Sequence, residues 1–180
     1  MREVIYYLTQ SVDGFIADVE GGVGWMSGAP NEDYGYEEFY HHIDTILFGS
    51  KTYEHILGIG GGFPYVDKEV VVFSKRDFEP IEDNVMIERG DAPAVVARLK
   101  LAEGGPIWLG GGAELATTLL NAGLVDRLRI FIQPILLGNG IGLTDVLERY
   151  KTLELVRSKQ WEGGIMELEY TVLRPWRSDV

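Results

Sequence analysis

The stretch Ile107-Trp-Leu-Gly110-Gly-Gly112-Ala-Glu114-Leu-Ala carries the strongest structural signal in the chain. An apolar strand runs directly into three glycines, which then open a helix with recurring leucines. At such a junction the backbone can approach a ligand closely, while free N–H groups and the helix dipole face an anion. A tight turn without a ligand is the alternative interpretation. We expect a phosphate or pyrophosphate beside Gly110, Gly111, Gly112 and Glu114.

Two common nucleotide-binding motifs do not account for this run of glycines. The pattern G-x-G-x-x-G fails because Leu115 stands where the third glycine would be. The pattern G-x-x-x-x-G-K-[ST] does not occur anywhere in the chain. The junction is therefore neither a standard Rossmann fingerprint nor a P-loop.

Strands and helices alternate along the rest of the sequence. Strands are predicted at 4–8, 45–48, 70–73, 85–87 and 128–135, and helices at 31–42, 51–57 and 92–101, the first of them capped by Asn31. The final strands, at 153–159 and 165–173, have no helix between them and are expected to be antiparallel. The pattern predicts one α/β domain over residues 1–180, with helices on both faces of a mixed sheet.

Composition limits the classes of function. The 180 residues are 46% hydrophobic and include no cysteine, which excludes disulfides and thiolate chemistry. A formal charge of −12 argues against binding to nucleic acid. No signal peptide or membrane-spanning stretch is recognisable, so a cytoplasmic protein without membrane contact is expected. The three histidines do not have the spacing of metal ligands, and no metal site is predicted.

Four segments resemble the dihydrofolate-reductase-like superfamily when taken in order. They are Thr9-Gln-Ser-Val-Asp13-Gly-Phe-Ile-Ala17, Ile46-Leu-Phe-Gly49-Ser-Lys-Thr-Tyr-Glu54, Val71-Val-Phe-Ser74-Lys-Arg76, and the glycine junction followed by Gly123-Leu-Val-Asp-Arg-Leu128 and Pro134-Ile-Leu-Leu-Gly138. The resemblance spans about residues 3 to 173. Within the superfamily it is closer to the C-terminal reductase domain of riboflavin biosynthesis, the RibD C-terminal family. It implies the three-layer fold of that superfamily and an NADPH-dependent reduction of a pterin- or pyrimidine-like ring.

Two further segments are candidates for holding the cofactor. One begins a helix and offers N–H groups, hydroxyls and an ammonium: Gly49, Ser50, Lys51 and Thr52. A plain helix start is the alternative there. The other follows a buried strand: Ser74, Lys75 and Arg76. The resemblance implies that this basic pair lies beside the 2′-phosphate of NADPH and selects it over NADH. A solvated strand end is the alternative.

The substrate side is less sharply defined by the sequence. The resemblance implies that Trp25 and the loop holding Asp13 wall the nicotinamide pocket. In dihydrofolate reductase a carboxylate on the first helix holds the heterocycle, and Asp33 and Glu37 lie four residues apart on one helix face. Asp33 is slightly favoured as the acid, and Asp13 is also a natural turn residue. Gln133 is a candidate for the pocket, with a structural amide as the alternative.

The first-helix segment departs from the riboflavin reductases. Residues 31–44 contain no Lys or Arg, so a neutral heterocycle is expected there rather than a ribose phosphate. The chain could instead hold a nucleotide without catalysis, or reduce unrelated carbonyl or nitro compounds. The turn-rich loop 138–142 is expected either at the edge of a homodimer or over the site.

Overall fold

The computed structural model of the chain describes residues 1–26, 28 and 32–174. Within these residues, ten strands and four α-helices form. The strands are β1 (Val4–Ser11), β2 (Phe15–Ala17), β3 (Thr45–Gly49), β4 (Glu69–Phe73), β5 (Val85–Glu88), β6 (Ile107–Gly111), β7 (Arg127–Gln133), β8 (Ile141–Gly142), β9 (Leu153–Gln160) and β10 (Met166–Val172). The helices are α1 (Tyr36–His42), α2 (Ser50–Ile59), α3 (Ala92–Leu101) and α4 (Ala113–Asn121).

Eight of the strands form one sheet in the order β5-β4-β3-β6-β1-β7-β10-β9. The strands from β5 to β7 in this order are parallel, and β10 runs antiparallel to both β7 and β9. The remaining strands, β2 and β8, pair with each other. The predicted mixed sheet with an antiparallel C-terminal pair is confirmed.

The alternation of side chains divides the core into two layers, one on each face of the sheet. On β3, Leu47 packs with α3 and α4, while Ile46 and Phe48 pack with α1 and α2. Trp108 on β6 faces α1 and α2, and its neighbours in the strand face the other side. Strands buried on both faces need such near-continuous apolar runs. Helices therefore cover both faces, as the sequence predicted.

The first helix begins later than predicted. It starts at Tyr36, because Gly35 adopts a left-handed conformation with φ of 72° and breaks the preceding chain. The Asp33 carboxylate holds this turn by accepting hydrogen bonds from the Gly35 and Glu37 nitrogens, at 2.9 and 3.1 Å. The predicted cap, Asn31, lies outside the described residues.

Within the part of the chain that the structure describes, no helix combines the length and the apolar character needed to cross a bilayer.

Candidate active site

The carboxyl ends of β3 and β6, adjacent parallel strands in the middle of the sheet, lie side by side, and the space beyond them is here called the crevice. The helix after β3 packs on one face of the sheet, and the helix after β6 packs on the other. Where connections leave neighbouring strands in opposite directions, α/β proteins have a gap that ligands use. The glycine junction lies at this gap.

Two helices begin side by side at the crevice, and a glycine precedes each of them. Gly49 precedes α2 and Gly112 precedes α4, and no described side chain caps the N–H groups at either start. A Cβ at Gly49 would lie 3.7 Å from the Gly112 nitrogen. Free N–H groups and the positive ends of two helix dipoles therefore face one gap, which is an arrangement suited to phosphate groups.

The three glycines of the junction differ in what they do locally. A Cβ at Gly110 would collide with the ring of Phe48, so core packing requires this glycine. Gly111 has φ of 123°, which other residues rarely adopt, and a cis peptide bond joins it to Gly112. Gly112 is extended, and a Cβ there would lie 3.2 Å from the Thr52 hydroxyl. The absent side chain at Gly112 thus keeps the space between the two helix starts open.

The basic pair lies at the same end of the sheet, because it follows β4, the other neighbour of β3. Lys75 Nζ lies 3.8 Å from Glu114 Oε1 in the first turn of α4, and both side chains are exposed. Arg76 Nη2 lies 2.5 Å from Glu54 Oε1 on α2. The structure therefore brings all three predicted cofactor segments together.

The Ser74 hydroxyl is hydrogen-bonded to the backbone of its own turn. The Ser74 oxygen accepts a hydrogen bond from the Arg76 nitrogen at 3.0 Å and donates to the Arg76 carbonyl at 3.1 Å. The side chain is buried and shapes the turn that presents the basic pair. Direct contact of Ser74 with a cofactor stays a prediction.

A cavity of about 230 Å³ lies further along the sheet, at the carboxyl halves of β1 and β7. Four aromatic rings, three polar side chains and one isoleucine line it: Tyr7, Tyr34, Tyr36, Phe131, Thr9, Asp33, Gln133 and Ile165. The ring of Tyr7 stacks on that of Phe39 of α1, with their centroids 4.2 Å apart. Packing against α1 therefore holds one aromatic wall in place.

Of the two acids predicted for the first-helix segment, the structure places one at the cavity. Asp33 lines the cavity at its exposed mouth, whereas Glu37 is exposed and lies outside the lining. Hydrogen bonds from the Gly35 and Glu37 nitrogens lower the pKa of Asp33. Asp33 is therefore ionised at neutral pH and is not poised to donate a proton, so its role as the acid stays a prediction that this hydrogen bonding does not favour.

Asp13 holds two loops together. Its carboxylate accepts hydrogen bonds from the Leu137 nitrogen at 3.1 Å and the Gly138 nitrogen at 2.7 Å. The Ser11 hydroxyl, followed by these backbone groups, lowers the pKa of Asp13 to about 2. The geometry gives Asp13 a structural role beside the site, and its proposed catalytic role stays a prediction. A role of loop 138–142 in a homodimer also stays a prediction.

Replacing Asp13 by asparagine is expected to lower the melting temperature at neutral pH. The native pKa is depressed from 3.8 to about 2, so the stabilisation is present above pH 4 and is lost as the pH falls through 2. The melting temperatures of the wild type and the variant should therefore converge between pH 4 and pH 2. Asp145→Asn, at an exposed carboxylate without a hydrogen-bond partner among the described residues, is the control. A constant difference across this pH range would contradict the interpretation.

The two candidate pocket residues have different positions. Gln133 ends β7, is 8% exposed and lines the cavity. Trp25 does not line the cavity, although its loop passes close by, since a Cβ at Gly28 would lie 3.0 Å from the Tyr34 ring. The indole nitrogen of Trp25 is buried and has no hydrogen-bond partner among the described residues. A contact of Trp25 with a nicotinamide stays a prediction.

Comparison with known proteins assigns the chain to a family. Residues 66–166 match the model of the RibD C-terminal domain, and this match includes β6 and the whole glycine junction. The chain belongs to the RibD C-terminal domain family. The uncharacterized protein YwjB of Bacillus subtilis (strain 168) is 35% identical over 94% of this chain and 97% of its own length.

Several solved structures share this fold. A protein of Shewanella sp. PV-4, provisionally assigned to riboflavin biosynthesis, has a TM-score of 0.86 at 26% identity, covering 97% of this chain and 100% of that one. The Thermotoga maritima diaminohydroxyphosphoribosylaminopyrimidine deaminase/5-amino-6-(5-phosphoribosylamino)uracil reductase has a TM-score of 0.71 at 14% identity, covering 96% of this chain and 57% of that one. Dihydrofolate reductase of Enterococcus faecalis, complexed with NADP(H) and RAB-propyl, has a TM-score of 0.70 at 18% identity, covering 94% and 96%.

This RibD C-terminal domain also contains a buried ionic cluster that the sequence did not reveal. Glu167 on β10 is 1% exposed and accepts hydrogen bonds from Arg129 Nε at 2.7 Å, Arg157 Nη2 at 2.6 Å and Trp161 Nε1 at 2.9 Å. The Arg129 guanidinium lies 5.2 Å from the ring centroid of Tyr7, which lines the cavity. The alternation of Arg127 and Arg129 with buried apolar residues along β7 was the available signal.

One cation reaches the cavity mouth from β9, outside the first-helix segment. Lys159 on β9 lies near enough to Asp33 to contribute to lowering its pKa. Its Nζ lies 3.1 Å from the ring centroid of Trp161. The absence of Lys and Arg from residues 31–44 therefore does not leave the mouth of this RibD-type cavity without positive charge, and a neutral heterocycle there stays a prediction.

Proposed function

We propose that the protein is an NADPH-dependent reductase acting on a small pterin- or pyrimidine-like ring. The observation that carries this proposal is the convergence of two uncapped helix starts, at Gly49 and Gly112, on one crevice at the switch point of the sheet. Membership of the RibD C-terminal family supports it. The fold shared with an NADP(H)-binding dihydrofolate reductase is consistent with the same cofactor.

The residues at the crevice fit a dinucleotide phosphate. The pyrophosphate would lie against the backbone of Gly111 and Gly112 and the first turn of α2, from Ser50 to Thr52, where N–H groups are free. The 2′-phosphate would lie beside Lys75 and Arg76, displacing or sharing their acidic partners. The cofactor would supply the hydride, and the chain supplies orientation and a shielded cavity.

The cavity beside β1 is suited to a flat ring. Tyr7 and Phe131 offer aromatic faces, while Thr9 and Gln133 offer polar groups on the adjoining strands. β1 lies directly between β6, which carries the glycine junction, and β7. A ring in the cavity would thus lie near a nicotinamide that extends from the crevice. Because Asp33 is ionised, we propose that the proton reaches the ring from water at the mouth.

A substrate screen tests the proposal directly. Pterins, dihydrofolate, pyrimidinediones with and without ribose phosphate, and simple carbonyl and nitro compounds would each be offered with NADPH, and the loss of NADPH absorbance followed. Turnover of a pterin or pyrimidine is expected. NADPH oxidation confined to carbonyl or nitro compounds would contradict the proposed substrate class.

NADPH is expected to bind more tightly than NADH by more than about tenfold, or roughly 1.4 kcal/mol. The reason is the position of Lys75 and Arg76 at the crevice, in a chain of net charge −12. Titrations of both cofactors measure the preference, and Lys75→Ala with Arg76→Ala should remove it. Lys151→Ala, at the opposite end of the sheet beside Asp126 and Val172, is the control. Equal dissociation constants for the two cofactors would refute the assignment.

A nucleotide-binding module without catalysis is the second candidate. One observation favours it: Asp33, the only carboxylate in the described cavity lining, serves as a backbone cap for the turn before α1.

If Asp33 were the general acid, Asp33→Asn should cut turnover on the order of a hundredfold or more. We expect a loss below about tenfold, since an asparagine oxygen can keep one capping bond. Glu37→Gln, outside the cavity, is the companion variant.

A further inference from the structure

Gln133 is the one glutamine whose side chain lines the cavity. It is 8% exposed, lies on the cavity face of β7, and has no hydrogen-bond partner among the described residues for either its oxygen or its nitrogen. Because neither amide atom is bonded to the described protein, both are available to a molecule in the cavity. Thr9, on the neighbouring strand, also lines the cavity and has no such partner in the described part of the chain. A pair of unused polar groups thus faces the space between aromatic walls.

The Asp33 carboxylate at the cavity mouth, unlike Gln133, is already hydrogen-bonded to the backbone. Asp33 is exposed, and its two oxygens accept hydrogen bonds from the Gly35 and Glu37 nitrogens. Its hydrogen-bonding capacity is therefore partly used at the start of α1, away from the base of the cavity. The group best placed to pair with the edge of a bound ring is a neutral amide rather than an acid.

Amides and carboxylates select different ring edges. A carboxylate offers acceptors only and matches an amidine edge, in which a ring nitrogen and an adjacent amino group both present N–H donors when protonated. A carboxamide offers one acceptor and two donors, so it matches a lactam edge, in which a ring N–H adjoins a carbonyl, but it can accept from only one of the two donors of a protonated amidine edge. The cavity volume of about 230 Å³ is below the roughly 300–1,000 Å³ typical of larger ligands, so the ring must be small.

We propose that Gln133 is the specificity-determining residue of the cavity and selects a ring with a lactam edge, through paired hydrogen bonds to the ring N–H and its adjacent carbonyl. This inference rests on the proposed function, since it takes the same cavity as the ring site. It differs from the expectation that a first-helix carboxylate holds the ring, because it moves recognition from Asp33 to the end of β7.

The test compares two probes of the same size, uracil with its lactam edges and 2,4-diaminopyrimidine at a pH where its amidine edge is protonated. Calorimetric titrations of the full chain, with and without NADPH, give the dissociation constants. The wild type is expected to bind uracil more tightly by at least about tenfold, because the wrong edge leaves buried polar groups unpaired. Gln133→Glu keeps the shape but loses the donors, and is expected to reverse the preference.

Gln160→Glu is the matched control. It makes the same chemical change on exposed β9, opposite Met166 and on the other face of the sheet from the cavity, and should leave the preference unchanged. Melting curves of both variants show whether they fold. Gln133→Glu places a carboxylate in the cavity, which can impair folding. Gln133→Met adds no charge there, so it is the second variant, and it should lose the preference for uracil without reversing it.

The outcomes separate this proposal from the proposed function. A preference for diaminopyrimidine in the wild type, a preference unchanged in Gln133→Glu, or binding of neither probe while NADPH binds would each overturn the role of Gln133 and leave the cofactor site standing. Binding of uracil that depends on Gln133, in a protein that binds no NADPH, would support the ring site and refute the reductase.

Discussion

Replacing Gly112 by alanine is expected to weaken NADPH binding by at least about a hundredfold, while the protein stays folded. The extended backbone at Gly112 accommodates any residue, so the fold itself does not require glycine there. A Cβ would nevertheless fill the space between the starts of α2 and α4, next to the Thr52 hydroxyl. Cofactor titration and thermal melting, recorded on the same samples, measure the two effects. The melting temperature should change by less than about 3 °C, or roughly 1 kcal/mol.

Gly110→Ala provides the opposite pattern as a control. Its Cβ would collide with Phe48 in the core, so stability should fall by about 1–3 kcal/mol. Cofactor binding by the folded fraction should persist, because this side chain points away from the crevice. Normal NADPH binding by folded Gly112→Ala would show that the phosphate lies elsewhere.

The second large effect is expected at Glu167. Replacing it by alanine removes a fully buried carboxylate and leaves Arg129 and Arg157 without their shared partner. Breaking such a buried pair typically costs about 3–5 kcal/mol of the free energy of unfolding. Urea denaturation measures this loss.

Glu169→Ala is the comparison for that loss. Glu169 lies on the same strand and also faces arginines, but it is more exposed. Its replacement by alanine should therefore lower the free energy of unfolding clearly less than that of Glu167. Adding Arg129→Met to Glu167→Ala should recover part of the lost stability, since one uncompensated cation is then removed. Equal losses for the two glutamates, with no recovery in the double variant, would mean that Glu167 acts through packing alone.

The strand ends that meet at the crevice could be predicted from the sequence because their signals are local. Apolar runs followed by glycines identify the carboxyl ends of β3 and β6, and parallel strands place these ends at one edge. Helix α3 was predicted with its observed bounds, and in the structure Asp91 caps it and a proline lies in its first turn. Short-range chemistry of this kind can be seen without knowing the fold.

The cavity proposed for the ring depends on how distant strands pair, which local sequence patterns do not show. Arg129 and Glu167 meet only because β7 and β10 pair in one particular register, across 38 residues of sequence. The two-residue strand β8 is too short to show any periodicity. Asp33 looked like an acid in the sequence, and only its hydrogen bonds to the backbone reveal the competing role.

The central position of β1 in the sheet has a consequence for folding during synthesis. Its partners are β6 and β7, and the contact between Val4 and Asp126 closes a separation of 122 residues. During synthesis, the first strand therefore leaves the ribosome long before either neighbour exists. Folding of the sheet must wait for non-local contacts, which are slow to form and leave apolar segments exposed in the meantime. A nascent chain that stalls before β7 would contain β6 but would leave the other edge of β1 unpaired.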